Sequence, residues 1–119
     1  ASHHGENPQR ITTFGQINTY HVSVLAYFVD RLQQTPDGEG TLLDNAMVLY
    51  GSPMGNGNLH NHKRVPMILV GHAGGQLKGG LHIMPPDATP SANLYLSLLH
   101  KLGFDEMRTF ADSTGELEI

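Results

Sequence analysis

The sequence predicts an α/β fold in which a small, mostly parallel sheet is flanked by helices. Three observations predict it. Apolar residues recur three and four positions apart in the first third of the chain, two short apolar runs occupy residues 46–50 and 65–70, and a second amphipathic segment follows Pro90. Helices combined with strands that are apolar on both faces are typical of α/β folds, in which helices cover a parallel sheet on both sides.

Composition predicts one globular domain spanning residues 1–119. The chain has 39% hydrophobic and 15% charged residues and a net charge of −4. This acidic balance, with no basic cluster, argues against nucleic acid as a partner. No apolar run approaches the length of a membrane span, so none is predicted. Cysteine is absent, so a metal would have to be held by nitrogen and oxygen ligands.

The first helix is predicted to begin near Pro8, because Asn7-Pro8 combines a capping residue with a proline at the first helical position. The turn residues 35–38 end it. Gly15 allows a break or kink in its early part. One face carries six residues at helical spacing: Phe14, Ile17, His21, Leu25, Phe28 and Leu32. His21 is therefore expected to face the core, either as a core histidine bonded to a carbonyl or as a group reaching towards the loop that follows the first strand.

The apolar runs at 46–50 and 65–70 are predicted to be strands buried on both faces. Pro66 lies near the start of the second, where a missing backbone donor is tolerated. A weaker strand, interrupted by Gly79-Gly80, is expected over residues 76–82. Thr89-Pro90 begins a second helix that is stopped by Gly103.

The loop at residues 51–64 carries the clearest candidate site. It lies at the end of a strand, where open α/β sheets commonly bind ligands, and it contains His60 and His62 with Ser52 as a polar neighbour. In an extended segment, residues two apart project to the same side. Two imidazoles so placed could bind one divalent ion, with zinc the first choice, and such an ion can act as a Lewis acid.

A complete site needs three or four ligands, and the loop offers no carboxylate. The remaining ligands would come from His3, His4, His21, Asp44 or a part of the protein outside this sequence. The alternative is that His60 and His62 are simply solvated loop residues. The glycines at 71–75 and 79–80 match no phosphate-binding motif, so their predicted role is turn geometry.

Several segments, in order, resemble the carboxyl-terminal part of the HXXSHH family, a domain of unknown function in exported bacterial proteins with twin-arginine signals. The segments are SHHG at the start, INTYH in the first helix, GTLLDN, MVLYGSPMGNGNLHNHKRVPMILVG, LKGGLH, TPSANLYLSLLHKLG and DSTGEL. The resemblance covers essentially the whole chain. It implies that the chain is the last third of a longer, exported protein, periplasmic or extracellular, with Ser2, His3 and His4 as the surviving part of the HXXSHH signature.

The HXXSHH family is in turn similar to the alkaline phosphatase and sulfatase superfamily, an α/β/α fold with two divalent metals. This similarity implies that Tyr50-Gly51-Ser52 ends the metal-facing strand and that His60 or His62 takes the place of a later metal-binding histidine. Where the superfamily has Asp-His after the strand, this chain has Pro53-Met54, and neither residue ligates a hard divalent ion. The superfamily's nucleophile lies upstream of this segment.

The sequence therefore leads to two hypotheses. The first is the carboxyl-terminal part of a metal-dependent phosphate or sulfate ester hydrolase, inactive without its upstream part, with metal ligands among His3, His4, His21, His60 and His62. The second is a non-catalytic structural or binding domain of an exported envelope protein. The upstream part of the parent chain is the expected partner, and a homo-oligomer that pairs exposed strand edges is a further expectation.

Overall fold

The computed structural model describes residues 1–119. It contains three α-helices and two short β-hairpins. The helices are α1 (Pro8–Gln34), α2 (Leu42–Asn45) and α3 (Ser91–Lys101), the first hairpin pairs β1 (Pro36–Asp37) with β2 (Gly40–Thr41), and the second pairs β3 (Val48–Gly51) with β4 (Met67–Val70). The mixed α/β content predicted from the sequence is confirmed. No helix is long and apolar enough to cross a bilayer.

Helix α1 begins and ends where the capping residues predict. The side chain of Asn7 accepts a hydrogen bond from the Arg10 amide at 3.1 Å, Pro8 occupies the first turn, and Thr35 is the carboxyl-terminal cap. The helix continues through Gly15, so the break that this glycine allows does not occur. None of its residues is fully buried, and His21 is exposed with no hydrogen bond. The prediction that His21 faces a core is therefore wrong, because α2 and β2 contact α1 but leave His21 exposed.

The mostly parallel sheet predicted from the sequence is wrong, because both hairpins are antiparallel. Parallel neighbours need a crossover of a dozen or more residues, usually a helix, that returns the chain to the starting end of the sheet. The connection at residues 52–66 instead folds back on itself at one end of the strands. Residue Val48 therefore pairs with Val70, and Gly51 pairs with Met67.

Strands β3 and β4 are shorter and more exposed than predicted. Each contains four residues, Pro66 lies just outside β4, and neither strand contains a fully buried residue. Apart from the bond between the Ser52 amide and the Pro66 carbonyl, which extends the pairing of β3 with β4, no backbone hydrogen bond joins either strand to another element. Both outer edges of this hairpin are therefore open.

The strand predicted at residues 76–82 does not form. A short 3-10 turn at Ala73–Gly75 is followed by irregular chain up to α3. Gly79 and Gly80 have φ angles of 69° and 70°, a left-handed conformation that cannot continue a strand. The glycine pair therefore prevents a strand over these residues instead of forming a bulge within one.

The small buried core is centred on α3. Five of the seven buried residues belong to this helix, namely Ala92, Asn93, Leu96, Ser97 and Leu98. The polar members bind the carboxyl-terminal tail, because Asn93 accepts a hydrogen bond from the Thr114 amide at 2.9 Å and Ser97 accepts one from the Leu117 amide at 2.8 Å. The helix is thus packed on one side and tethered to the tail on another.

The β3–β4 hairpin separates two grooves. One groove has a cavity of about 430 Å³ and is lined by Phe14, Asn18 and Val22 of α1 together with Tyr50 and Ile68 of the hairpin. We call it the α1 groove. The other, also about 430 Å³, lies on the α3 side and is lined by apolar residues including Leu49, Met67, Leu69, Leu94 and Leu117. We call it the α3 groove.

Candidate functional site

The candidate site is formed where the loop at residues 52–66 meets the amino-terminal segment, residues 1–7. The loop is closed by a pair of backbone hydrogen bonds: the Gly55 amide donates to the Asn61 carbonyl at 2.8 Å, and the Asn61 amide donates to the Asn56 carbonyl at 3.0 Å. Residues 57–60 make the turn between these ends. The loop is therefore a compact structure of its own and not an extended tether.

Asparagine side chains fix the shape of this loop. The Oδ1 atom of Asn56 accepts hydrogen bonds from the amides of Asn58 at 3.0 Å and Leu59 at 3.2 Å, a turn geometry for which asparagine is well suited. Asn61 accepts one from the Lys63 amide at 2.6 Å. Both asparagine oxygens accept hydrogen bonds from backbone amides, so these two residues hold the shape of the loop.

The amino-terminal segment docks on the loop through Asn58. The Oδ1 atom of Asn58 accepts a hydrogen bond from the Gly5 amide at 2.8 Å, and its Nδ2 group donates to Glu6 at 3.1 Å. Gly57 lies directly against Ser2, because a Cβ atom added at Gly57 would meet the Ser2 Cβ at 2.8 Å. These contacts bring together residues more than 50 positions apart in the sequence.

His3 and His60 meet as a result of this docking. Their Nε2 atoms lie 2.8 Å apart, and their rings are edge to face with centroids 4.8 Å apart. Since imidazole nitrogens share one proton in such a bond, one Nε2 donates and the other accepts. His60 has a φ of 51°. This left-handed conformation is uncommon for residues other than glycine and occurs mostly in turns.

In the structure, His60 and His62 make contacts with different partners. The prediction required an extended segment, whereas His60 closes a turn. The Nδ1–H group of His62 donates instead to the Pro53 carbonyl at 2.9 Å. His62 therefore secures the other side of the loop, beside Pro53-Met54.

The other candidate ligands lie apart from the histidine pair. His4 is half-buried, and its Nδ1 accepts a hydrogen bond from the Glu6 amide at 3.1 Å. Asp44 caps α2, where its Oδ2 atom accepts hydrogen bonds from the Thr41 amide and hydroxyl, each at 2.8 Å. The Thr41 bonds, with a smaller contribution from His72, hold the pKa of Asp44 below its usual value. His21 is exposed on α1, and its ring lies near only that of Tyr20, with centroids 6.1 Å apart.

No three side chains of His, Asp or Glu lie close enough together to hold a metal ion. The pair His3 and His60 is thus half of a metal site at most within this chain. The α1 groove is lined by Ser2, which precedes His3 in the chain, and its other hydrogen-bonding side chains are those of Asn18, Tyr50 and Ser52. Ser52 is turned onto its own loop, where its hydroxyl donates to the Met54 carbonyl at 2.8 Å.

Sequence reasoning missed the role of Asn58 and Glu6 in joining the two segments. No local pattern reports this contact, because the partners are 52 and 53 residues apart.

Comparison of the chain with known protein families, curated proteins and solved structures finds no match.

Proposed function

We propose that His3 and His60 supply two ligands of a divalent metal site, with zinc the first choice, in an exported hydrolase of phosphate or sulfate esters related to alkaline phosphatase. One observation carries the proposal: two imidazole Nε2 atoms from distant parts of the chain converge to 2.8 Å. The resemblance to the HXXSHH family supports it independently, because both residues fall within the segments that carry that resemblance.

The two histidines fit such an ion in geometry. Zinc–nitrogen bonds of about 2.0–2.1 Å in a tetrahedral site place two ligand nitrogens about 3.3 Å apart. The two Nε2 atoms need to separate by only about 0.5 Å to reach that spacing. Both side chains are exposed, so small rotations about their side-chain bonds suffice. The ion, when bound, would contribute Lewis acidity towards an ester oxygen.

Other residues of the chain would hold and orient this pair. The Nδ1 atom of His3 lies 3.4 Å from the Ser2 hydroxyl, a contact that favours an Nε2 directed at His60. Asn58 holds the amino-terminal segment against the loop through Gly5. His4, His62 and His21 remain predicted ligands, and the upstream part of the parent chain is the proposed source of the missing ligands and of the nucleophile.

Zinc binding to single-site variants tests the proposal. Isothermal titration of the untagged chain at neutral pH is expected to show one zinc ion per chain. His3→Ala and His60→Ala are each expected to weaken the affinity by about tenfold or more, equivalent to about 1.4 kcal/mol. His82→Ala is the matched control, because His82 is exposed and is not among the proposed ligands. Equal affinity in all variants would reject His3 and His60 as ligands.

The hydrolase part needs a separate test on the full-length parent protein. Turnover of 4-nitrophenyl phosphate or 4-nitrophenyl sulfate is expected with zinc present and is expected to fall with the His60→Ala substitution. Zinc binding without turnover of either ester would leave the metal site standing and reject the ester hydrolase.

A non-catalytic structural or binding domain is the second candidate, and specific contacts favour it. His62 donates to a backbone carbonyl, His4 accepts from a backbone amide, and Asn56 and Asn61 hold the loop. On this hypothesis, the His3–His60 hydrogen bond only holds the amino-terminal segment against the loop at residues 52–66. Replacing His60 by Ala would then lower stability slightly and leave zinc affinity unchanged.

A further inference from the structure

The outer edge of β4 has no hydrogen-bonded partner strand. The bond from the Ser52 amide to the Pro66 carbonyl shows which facing residues of the hairpin are hydrogen-bonded pairs. By the alternation of the ladder, these pairs are Tyr50 with Ile68 and Val48 with Val70, whose backbone groups point at one another. The alternation of antiparallel pairing then directs the amides and carbonyls of Met67 and Leu69 away from β3. No other element supplies hydrogen bonds to them. An open edge of this kind is a template for another strand.

Space for a further strand exists on both faces of this edge. Ile68 lines both the α1 groove and the α3 groove, each with a cavity of about 430 Å³, and 42% of its surface is exposed. On β3, different residues line the two grooves, Leu49 the α3 groove and Tyr50 the α1 groove. Since side chains of a strand alternate between faces, an added strand beside β4 could place apolar side chains into both grooves.

The chain exposes much more surface than a compact monomer of its size. Its accessible surface is 8603 Å², whereas a monomer of 13.0 kDa exposes about 6,300 Å². The radius of gyration is 16.6 Å, against about 13.5 Å for a compact domain of this length. The excess of about 2,300 Å² exceeds the roughly 800 Å² that each partner buries in a stable interface.

The outer edge of β4 can also pair with the same edge of a second copy of the chain. Residues of β4 are all apolar and none is charged, so pairing the strand with itself opposes no like charges. We propose that β4 pairs antiparallel with β4 of a second copy of this chain, with Ile68 opposite its counterpart on a twofold axis. In this pairing, Met67 forms backbone hydrogen bonds with Leu69 of the second copy. The two hairpins then make one continuous sheet of four strands, with the grooves of both copies on its faces.

Sedimentation equilibrium of the 119-residue chain tests this directly. The expected mass is twice 13.0 kDa, with dissociation only on dilution. A mass of one chain at concentrations up to about 0.5 mM, where even an association of about 4 kcal/mol is detectable, would overturn the proposal. Species larger than the dimer would also overturn it, because a twofold interface closes on itself.

A charge placed on the outer edge of β4 tests whether this strand forms the interface. Ile68→Lys is expected to give a folded monomer, because it sets two ammonium groups face to face across the axis. Val24→Lys is the matched control, since Val24 is an exposed aliphatic residue on α1 with 48% of its surface accessible and lines neither groove, and it is expected to remain dimeric. Mixing Ile68→Lys with Ile68→Glu is expected to restore a dimer containing one copy of each.

The circular dichroism spectrum of each variant reports whether it has folded. A dimer that survives Ile68→Lys, or that is also lost with Val24→Lys, would overturn the assignment to β4. Failure of the two oppositely charged variants to associate with each other would do the same.

Discussion

The Nε2 atom of His3 lies 2.8 Å from the Nε2 atom of His60, although 57 positions separate the two residues in the chain. The bond depends on the docking of the amino-terminal segment on the loop at residues 52–66. Asn58 and Gly57 form the surface on which that segment lies. The geometry of the histidine pair can therefore be changed without altering either histidine.

Gly57→Ala is expected to separate His3 from His60, because the added methyl group would meet the Ser2 Cβ at 2.8 Å. We expect loss of the nuclear Overhauser contact between the two imidazole rings and, where zinc binds, an affinity about tenfold weaker. Gly115→Ala is the control, since a Cβ there meets nothing within 4 Å. A ring contact that persists in Gly57→Ala would contradict this account of the docking.

Gly71→Ala is expected to destabilise the fold by more than about 2 kcal/mol. Gly71 has a φ of 108°, and its added Cβ would collide with the Ala46 carbonyl. Gly74→Ala provides the comparison, because Gly74 has a φ of 64° but open space around it, so only the conformational cost of about 1 kcal/mol applies. Urea unfolding measures both, and equal losses would show that the collision is relieved by backbone movement.

Ser97→Ala is expected to cost about 1–3 kcal/mol of the free energy of unfolding. The buried Ser97 hydroxyl donates to the Leu117 carbonyl at 2.7 Å and accepts from the Leu117 amide at 2.8 Å, so its loss leaves two backbone groups of the tail unpaired. Ser23→Ala removes an exposed hydroxyl on α1 and should change stability by less than about 0.5 kcal/mol. Thermal unfolding of both variants compares them, and a Ser97→Ala effect as small as the control would contradict a tail held by this hydroxyl.

The attachment of the tail to α3 is expected to weaken as the pH rises. His100 donates from Nε2 to the Met107 carbonyl at 2.6 Å, and its Nδ1 lies 3.0 Å from Glu116. These two contacts, with Asp105 nearby, raise the pKa of His100 above 6.5. A raised pKa means that the stabilisation is complete below the unfolded-state pKa and is lost as the pH rises through the folded-state pKa.

Hydrogen exchange of the Leu117 amide at pH 5.5 and 8.5 measures this effect, after correction for the intrinsic rate of exchange at each pH. We expect less protection at pH 8.5 and a smaller pH dependence in Glu116→Gln, which removes the carboxylate beside His100. His21→Gln is the control, because His21 is exposed and makes no hydrogen bond. The same pH dependence in wild type and Glu116→Gln would rule out this ion pair as its origin.

Stability is expected to fall in acid through Asp44. Hydrogen bonds from Thr41 lower the pKa of Asp44 below 3.8. The stabilisation is therefore present above the unfolded-state pKa and is lost as the pH falls through the lower, folded-state value. Asp44→Asn should flatten the stability profile below about pH 4. Asp30→Asn, on the exposed surface of α1, should leave that part of the profile unchanged, and an identical flattening in both variants would point to a general charge effect.

Local sequence signals predicted the two longer helices well, although they did not predict the four-residue α2. Asn7-Pro8 and the turn after Gln34 bound α1, and Pro90 with Gly103 bracket α3. These signals work because capping and proline chemistry act within a few residues. The same local reasoning located both apolar strands of the second hairpin within two residues at each end.

The direction of the strands and the partners of the histidines could not be predicted in this way. Apolar runs do not distinguish an antiparallel hairpin from a parallel pair, and the loop between them closes through Asn56 and Asn61 by contacts that no periodicity reports. The spacing of His60 and His62 suggested a pair only on the assumption of an extended backbone, which the left-handed φ of His60 removes.

By itself, the sequence determined where α1, α3, β3 and β4 form and which loop bears the histidines, since these follow from interactions between near neighbours in the chain. Only the tertiary structure decided that His60 meets His3 and that His21 faces solvent. It also decided that β4 presents an open edge. These outcomes depend on contacts between residues tens of positions apart, whose geometry is set by the packing of whole segments and not by the local chain.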